Sequence, residues 1–408
     1  MTVTAQPLER PTTTDTRRPG RLLSAAQLIS SLGDGAFLTC SVLFFTRIVG
    51  LSPAQVGLGL TLGWAVGSVA GVPLGHLADR RGARGSAVLL ALGTAVAIAA
   101  FLFVRTPLLF VLAACVYATC QTGLAAVRQA LLAVLADPAR RTTIRAHLQS
   151  AGNAGLAIGA GLGGLALSAD TAGAYLTVFA LDALSFVAAA IVLRALPPTS
   201  PSPARKGEPK LAVLRDRPYA LISLLNMILL LRMPLLSVAI PLWIVERTQA
   251  PGWTVSVLFV LNTVVVVLFQ VKVAARLSGV GTAARMVRHS GVVLLASCVA
   301  FALSATGSSP WTSFAVLVAG ALVQVLGEMM QSAGTWEISF DLAPADKQGQ
   351  YQGFFGTGTS VARMLGPALL TTVVVGWGAV GWVLVGLIFL GAGWAMGPAV
   401  RWAQRRAA

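Results

Sequence analysis

Apolar residues run along this chain in stretches of about twenty or more, separated by short polar breaks. Twelve such stretches can be drawn, over 22–49, 53–75, 85–104, 107–135, 143–168, 173–195, 218–246, 252–275, 284–306, 311–340, 349–376 and 379–399. A helix rises about 1.5 Å per residue, so each stretch is long enough to cross a hydrocarbon core roughly 30 Å thick. The stretches divide into two predicted halves, 22–195 and 218–399. Between them, residues 196–217 carry Pro197-Pro198-Thr199-Ser200-Pro201 followed by a charged run, which reads as a solvated linker. Residues 1–21, rich in Thr, Pro and Arg, read as a disordered tail, and 400–408 as a short second tail. The pattern predicts an all-α integral membrane protein with twelve transmembrane helices in two six-helix halves.

Composition supports a polytopic membrane protein and removes other classes. Of 408 residues, 56% are hydrophobic and only 11% charged, too few charges for a soluble globular surface. The net charge of +16 does not indicate nucleic acid, because the arginines punctuate apolar runs instead of clustering on one wet face. Arg47, Arg105 and Arg247 lie at the outer ends of predicted helices, and Arg128, Arg232 and Arg363 lie inside them. The rest of the 30 Lys and Arg fall in tails or in loops on one side, which places both termini in the cytoplasm of a multi-pass protein of the inner (plasma) membrane. Cys40, Cys115, Cys120 and Cys298 all fall in apolar stretches, without metal spacing, so neither disulfides nor a metal site is expected.

A charged knot interrupts the apolar pattern at Gly75-His-Leu-Ala-Asp79-Arg80-Arg81-Gly82-Ala-Arg84. Its pattern, Gly-x-x-x-Asp-Arg-x-Gly-x-Arg, resembles the cytoplasmic loop between helices two and three of the major facilitator superfamily. The resemblance implies the major facilitator fold, with helices one, four, seven and ten lining a central cavity. It also implies a conformational latch formed by Gly75, Asp79, Arg80, Gly82, Arg84 and Asp137. In that latch Asp79 accepts hydrogen bonds from the first amides of helix eleven, near Gly349 to Tyr351, and Arg84 reaches the carboxylate of Asp137. In helix five, Gly152-Asn153-Ala-Gly155 and Gly159-Ala160-Gly161-Leu-Gly163-Gly164 resemble the motif of the drug/proton antiporters, which ends Gly-Pro-x-x-Gly-Gly. Ala160 stands where that family has proline. Helix five is therefore expected to be straight or gently curved, with a sharper bend at Pro367 in helix eleven. Small-residue spacing for close helix packing would by itself explain these glycines.

A faint internal repeat accompanies the two halves. Pro138 and Pro344 are separated by 206 residues, and Gly159 and Gly366 by 207. Near-equal offsets indicate parallel repeats, which put a substrate site at the midplane between them.

Ionisable residues within the apolar stretches are the sharpest functional pointers, since each costs several kcal/mol unless paired or wetted. Asp34, Arg128, Arg232 and Glu328 fall on predicted helices one, four, seven and ten; Asp182 and Arg363 fall on six and eleven. Arg232 lies about 22 Å along its helix from Arg217, and Glu328 about 20 Å from Asp341, so the two are level and expected to pair. Asp34 lies about 20 Å from Arg21 and Arg128 about 13 Å from Asp137, one turn apart in depth and within the span of a long arginine. Glu328 and Asp34 are the expected protonation sites, tuned by Arg232 and Arg128. Asp182, in Leu181-Asp182-Ala-Leu-Ser-Phe, reads as structural, and Arg363 as a competitor of Arg232 for Glu328. Gln27, Asn226, Trp243, Asn262, Gln324, Gln331, Trp336 and Arg363 are the expected substrate-binding surface. Aromatic walls with few polar groups suit amphiphilic compounds.

These readings point to a secondary active transporter that exports amphiphilic or drug-like molecules against protons by alternating access, and not to an enzyme. Its energy would come from the proton gradient, with no cofactor, since no Gly-x-x-x-x-Gly-Lys-Ser/Thr phosphate loop is present. Its partners would be a small-molecule substrate, protons and the lipid bilayer, with the chain acting as a monomer. Two alternatives stay open: a proton-linked or facilitative importer of a small metabolite, and a non-transporting receptor or scramblase.

Overall fold

The structure, a computed structural model, describes residues 17–202, 211–307 and 309–407. The expected tail up to residue 16 and linker residues 203–210 lie outside them. Among the described residues twelve helices are long and apolar enough to cross a membrane: α1 (Arg18–Ile48), α2 (Pro53–Arg81), α3 (Ala83–Phe101), α4 (Pro107–Leu135), α5 (Pro138–Ala169), α6 (Ala172–Arg194), α7 (Arg217–Arg247), α8 (Thr254–Ala274), α9 (Val280–Thr306), α10 (Pro310–Asp341), α11 (Ala345–Gly376) and α12 (Ala379–Arg406). Helix is the form that satisfies every backbone N–H and C=O within one segment, as a bilayer requires. Starts are signalled locally: Ser52, Thr106, Thr171, Asp216 and Ser309 each cap an exposed amide, and Pro53, Pro107 and Pro310 occupy the first turn where no amide is needed.

Several helices outrun the apolar stretches that predicted them. α2 was expected to end at residue 75, but it continues through the knot to Arg81 and stops at Gly82, whose φ of 97° only glycine adopts without strain. Likewise α5 starts at Pro138, α11 at Ala345, and α12 continues to Arg406 where a tail was expected. Charged residues continue a helix beyond the hydrocarbon without breaking its hydrogen bonds, so hydropathy marks the bilayer rather than the helix end.

Each half has its own core. In the first, Phe37, Phe44, Phe45, Phe101, Phe110 and Phe179 interlock with ring centroids 4.5–5.9 Å apart. In the second, Trp243 and Phe301 pack on Trp382 at 5.8 and 5.1 Å. Within the first half α1 and α5 pack backbone to backbone. A Cβ on Gly155, Gly159 or Gly163 would strike Leu28, Leu32 or Ala36 of α1. Much of the glycine run is thus consumed by packing, while Gly161 and Gly164 face open space. α5 runs as unbroken α-helix past Ala160, whereas α11 passes into π-helix at Thr371–Gly376 after Pro367.

The halves meet toward the face where α1 begins and α12 ends, the terminal face. Gly75 and Gly71 of α2 cross Gly349 and Gly353 of α11 so closely that a Cβ at Gly75 would overlap the Gly349 carbonyl, and one at Gly353 that of Gly71. Further in, Thr357 Oγ1 donates to the Ser68 carbonyl at 3.2 Å. α5 meets the second half through Ala146, packed with Ala274 and Ala333. At the opposite face Gly57, Gly164 and Gly252 border open space.

Gly75→Leu should pry this seam apart. Amide hydrogen exchange over residues 348–354 is expected to accelerate by about tenfold or more, as an opening cost of at least 1.4 kcal/mol is removed. Gly57→Ala, which meets nothing, should leave it unchanged; equal effects would show that the crossing does not hold the seam.

Candidate functional site

Arg232 is the hub of a polar cluster in the second half. It lies where α7 is interrupted: α-helix to Leu230, a short turn at Arg232–Pro234, then π-helix at Leu235–Ala239. Pro234 has no amide for the ladder, and its ring fills the space a Cβ on Gly366 of α11 would need. The guanidinium is buried and fully engaged: Nη1 is 2.8 Å from Glu328 Oε1, Nε donates to Gln331 Oε1 at 2.8 Å, and Nη2 to Ser332 Oγ at 2.9 Å. Glu328 Oε2 accepts from Asn262 Nδ2 at 3.1 Å, and Gln331 Nε2 donates to Asn226 Oδ1 at 2.9 Å. One ion pair therefore ties α7, α8 and α10 together. The Glu328 side chain keeps 19% exposure, against 6% for Arg232.

At membrane depth the first half carries the carboxyls Asp34 and Asp182 and the arginine Arg128, and Arg128 is not joined to either. Arg128 donates Nη1 to Gln27 Oε1 at 2.8 Å and Nη2 to Ser30 Oγ at 3.0 Å. Asp34, a turn further along α1, accepts through Oδ1 from Gln121 Nε2 at 2.8 Å and Tyr117 OH at 3.2 Å. The expected Asp34–Arg128 bridge is absent because neutral amides and hydroxyls on α1 and α4 lie at each group's own depth. Asp182 is sealed in, with no exposure, against Gly33, and its Oδ2 has no partner among the described residues.

The knot closes the terminal face. Asp79, in the last turn of α2, accepts from the Gly349 amide at 2.7 Å and the Gln350 amide at 3.0 Å. These amides belong to the first α-helical turn of α11, which starts at Gln348 after a 3-10 turn at Ala345–Lys347, and there unpaired N–H groups and the helix dipole favour an anion. Arg84 goes elsewhere than expected. Its Nη1 donates to the Leu196 carbonyl at 3.0 Å, while Asp137 instead caps the start of α5 through the Ala139 amide. Arg80 Nη1 and the Asp79 carbonyl take up Ser202, and the Arg84 amide takes up Thr199. The first part of the linker is thus tethered under the knot, since a Pro-rich strand has free carbonyls for these donors, while Pro197, Pro198, Ser200 and Pro201 stay exposed.

Residues 23–367 match the family described as the Major Facilitator Superfamily. The chain belongs to that superfamily and is one of its transporters. Solved structures with the same fold include a bacterial homologue of the iron transporter ferroportin (TM-score 0.75, 15% identity, covering 95% of this chain and 99% of that one). Others are the human organic anion transporter MFSD10 (0.71, 15%, 95% and 100%) and the E. coli fucose:proton symporter (0.68, 12%, 95% and 99%). No curated protein matches the sequence.

In this facilitator the expected binding surface separates into parts. Asn226, Asn262 and Gln331 join the Arg232–Glu328 cluster, and Gln324 Nε2 approaches the Arg232 carbonyl at 3.5 Å. Gln27 holds Arg128. Trp243 is not on the surface at all: it is buried in the second core, its Nε1 donating to the Phe301 carbonyl and Ser304 Oγ, each at 3.0 Å. An indole needs one polar partner and much apolar contact, which a core supplies as well as a cavity. Trp336 lies at the terminal-face seam, under Arg145 of α5 at 5.3 Å. Arg363 does not compete for Glu328; it stands over the Trp64 ring of α2 at 5.7 Å.

Sequence reasoning missed Tyr117, Gln121, Ser30, Ser332 and Trp64, and the contact from Thr142 of α5 to Glu337 of α10 across the halves. The first two had a signal. Tyr117, Gln121 and Arg128 recur at helical spacing on one face of α4, a polar strip in an apolar helix. Ser332 follows Gln324 and Glu328 in the same way.

Glu328→Ala should strand Arg232 without a counter-charge and lower stability by about 3–5 kcal/mol, seen as a large fall in thermal midpoint. Glu328→Gln keeps a hydrogen-bonding side chain and should cost clearly less; equal losses would mean the charge is not what Arg232 requires. Trp243→Phe should destabilise by about 1 kcal/mol through its lost donor while leaving substrate affinity unchanged. A changed affinity would return Trp243 to the binding surface.

Proposed function

We propose that this facilitator is a proton-coupled exporter of amphiphilic small molecules, working by alternating access from the inner (plasma) membrane with both termini in the cytoplasm. The observation that supports coupling most is the Glu328–Arg232 pair with Asn262 attached, because it links three helices through one titratable group. As an anion Glu328 holds α7 and α8 to α10. Once protonated it has no charge for Arg232, which Gln331 and Ser332 retain, and the restraint on α8 weakens. Asp34, held by neutral donors in the other half, is the second carboxyl available for protonation. In this reading the halves are closed at the cytoplasmic face, and the cavity opens to the other side. Few polar groups and an aromatic wall at Trp64 suit a substrate with a substantial apolar body.

The fucose structure is that of a proton symporter, so import through the same carboxyls is the second reading. Proteoliposomes of known protein orientation, with an imposed pH gradient and fluorescent anionic, neutral and cationic amphiphiles, separate the two. Export predicts substrate movement opposite to protons, at least about tenfold slower in Glu328→Gln, with binding of a neutral amphiphile retained. Movement in the same direction as protons would establish import. Undiminished uphill transport by Glu328→Gln would transfer the coupling role to Asp34, and no gradient-driven flux of any compound would leave a receptor or scramblase.

A further inference from the structure

The seam between α2 and α11 can be followed rung by rung from the terminal face inward. Asp79 meets Gly349 and Gln350, Gly75 meets Gly349, Gly71 meets Gly353, and Ser68 meets Thr357. The next rung is Trp64 with Arg363. Fourteen residues separate Gly349 from Arg363, about 21 Å of helix, so this last rung lies near the middle of the bilayer.

Arg363 differs from the other two deep arginines. Arg128 and Arg232 are buried and hydrogen-bonded through two or more guanidinium nitrogens. Arg363 is exposed, and among the described residues its guanidinium makes no hydrogen bond or ion pair. Its exposure is not to lipid, because the group lies over a ring of the opposite half. It borders the space between the halves. Asp34 and Tyr117 are within electrostatic range, yet the donors bound to Asp34 are Tyr117 and Gln121, not Arg363. A guanidinium at this depth with five donors thus has an aromatic face beside it and only the more distant charge of Asp34, with no acceptor in hydrogen-bond contact.

We propose that Arg363 and Trp64 form the recognition site for an organic carboxylate, which makes the substrate an anionic amphiphile; this rests on the transport reading above. The planar fork of the guanidinium matches both oxygens of a carboxylate. Trp64 packs the adjoining apolar or aromatic body. Placed at the inner end of the closed seam, the pair meets a substrate that enters the space between the halves before any rearrangement of the latch. Asp34 and Gln121 line the same region and set how far the carboxylate penetrates.

Three probes with one skeleton test this: 1-naphthylacetate, its methyl ester and 1-naphthylethylammonium, bound to the full-length protein in nanodiscs and measured by equilibrium dialysis. The parent protein should bind the carboxylate about tenfold or more tighter than the ester, and the ammonium most weakly. Arg363→Gln should erase the preference between carboxylate and ester while leaving ester affinity within about twofold, and Arg363→Lys should keep most of it. Trp64→Ala should weaken carboxylate and ester alike. Ester or ammonium binding as tight as the carboxylate in the parent, or a preference that survives Arg363→Gln, overturns the assignment. The parent ranking decides even where the Gln variant fails to fold. A carboxylate preference without pH-driven flux would remove the transport reading and keep the site; flux without the preference would remove the site alone.

Discussion

A single carboxylate set on the first amides of a helix from the other half organises this molecule. Asp79 satisfies two of the four N–H groups that every helix leaves open at its start, and it does so where the dipole of α11 is positive. Such a contact is directional and short-ranged, so it acts only while α2 and α11 are in register. Four glycines make that register possible by letting the two backbones touch. Charge and close packing depend on each other here: a side chain at Gly75 or Gly349 would lift the amides away from Asp79, and without Asp79 the glycine crossing is merely two smooth surfaces. The linker segment bound to Arg80, Arg84 and the Asp79 carbonyl holds the end of α2 in place from the other side.

From that contact the rest of the site follows by geometry. The seam sets the spacing between α2 and α11 at mid-depth and hence the position of Arg363 over Trp64. The same α11 leans on α7 where Gly366 admits the Pro234 ring, beside the interrupted turn that presents Arg232 to Glu328. A change at the terminal face is thereby connected, through one rigid helix, to the only ion pair described at membrane depth. The first-half carboxyl, Asp34, is held by neutral donors and belongs to a separate network. The two halves thus differ in how they hold charge, although they repeat in fold.

The fold was legible because hydropathy reports the bilayer directly, and all twelve helices could be read from it. Their ends were less legible, since residues such as Asp79 and Arg81 continue a helix without being apolar. Asp79 with the first amides of α11, and Arg232 with Glu328, followed from a motif and from equal depth along two helices. Depth alone failed for Asp34 and Arg128, because it ignores neutral partners: Tyr117, Gln121 and Ser30 outcompete the distant charge. It failed for Arg363 for a different reason. Rotation about the α11 axis, not height, turns that side chain toward Trp64 and away from Glu328. Trp243 was misplaced because amphipathic aromatic residues suit cores, cavities and interfaces alike, and only the packing of Phe301 and Trp382 distinguishes them.

Asp79 on the amides of α11 holds the terminal face closed. Pulsed spin-label distances test it most directly, in a background without the four native cysteines, using His147→Cys with Arg276→Cys on the terminal face and Ser168→Cys with Trp253→Cys on the opposite face. The parent should show a short terminal-face distance and a long opposite-face distance. Asp79→Asn removes a charge–dipole contact worth about 1–2 kcal/mol, so the populations should shift by about tenfold, lengthening the first distance and shortening the second. Distributions identical to the parent's on both faces would contradict the account.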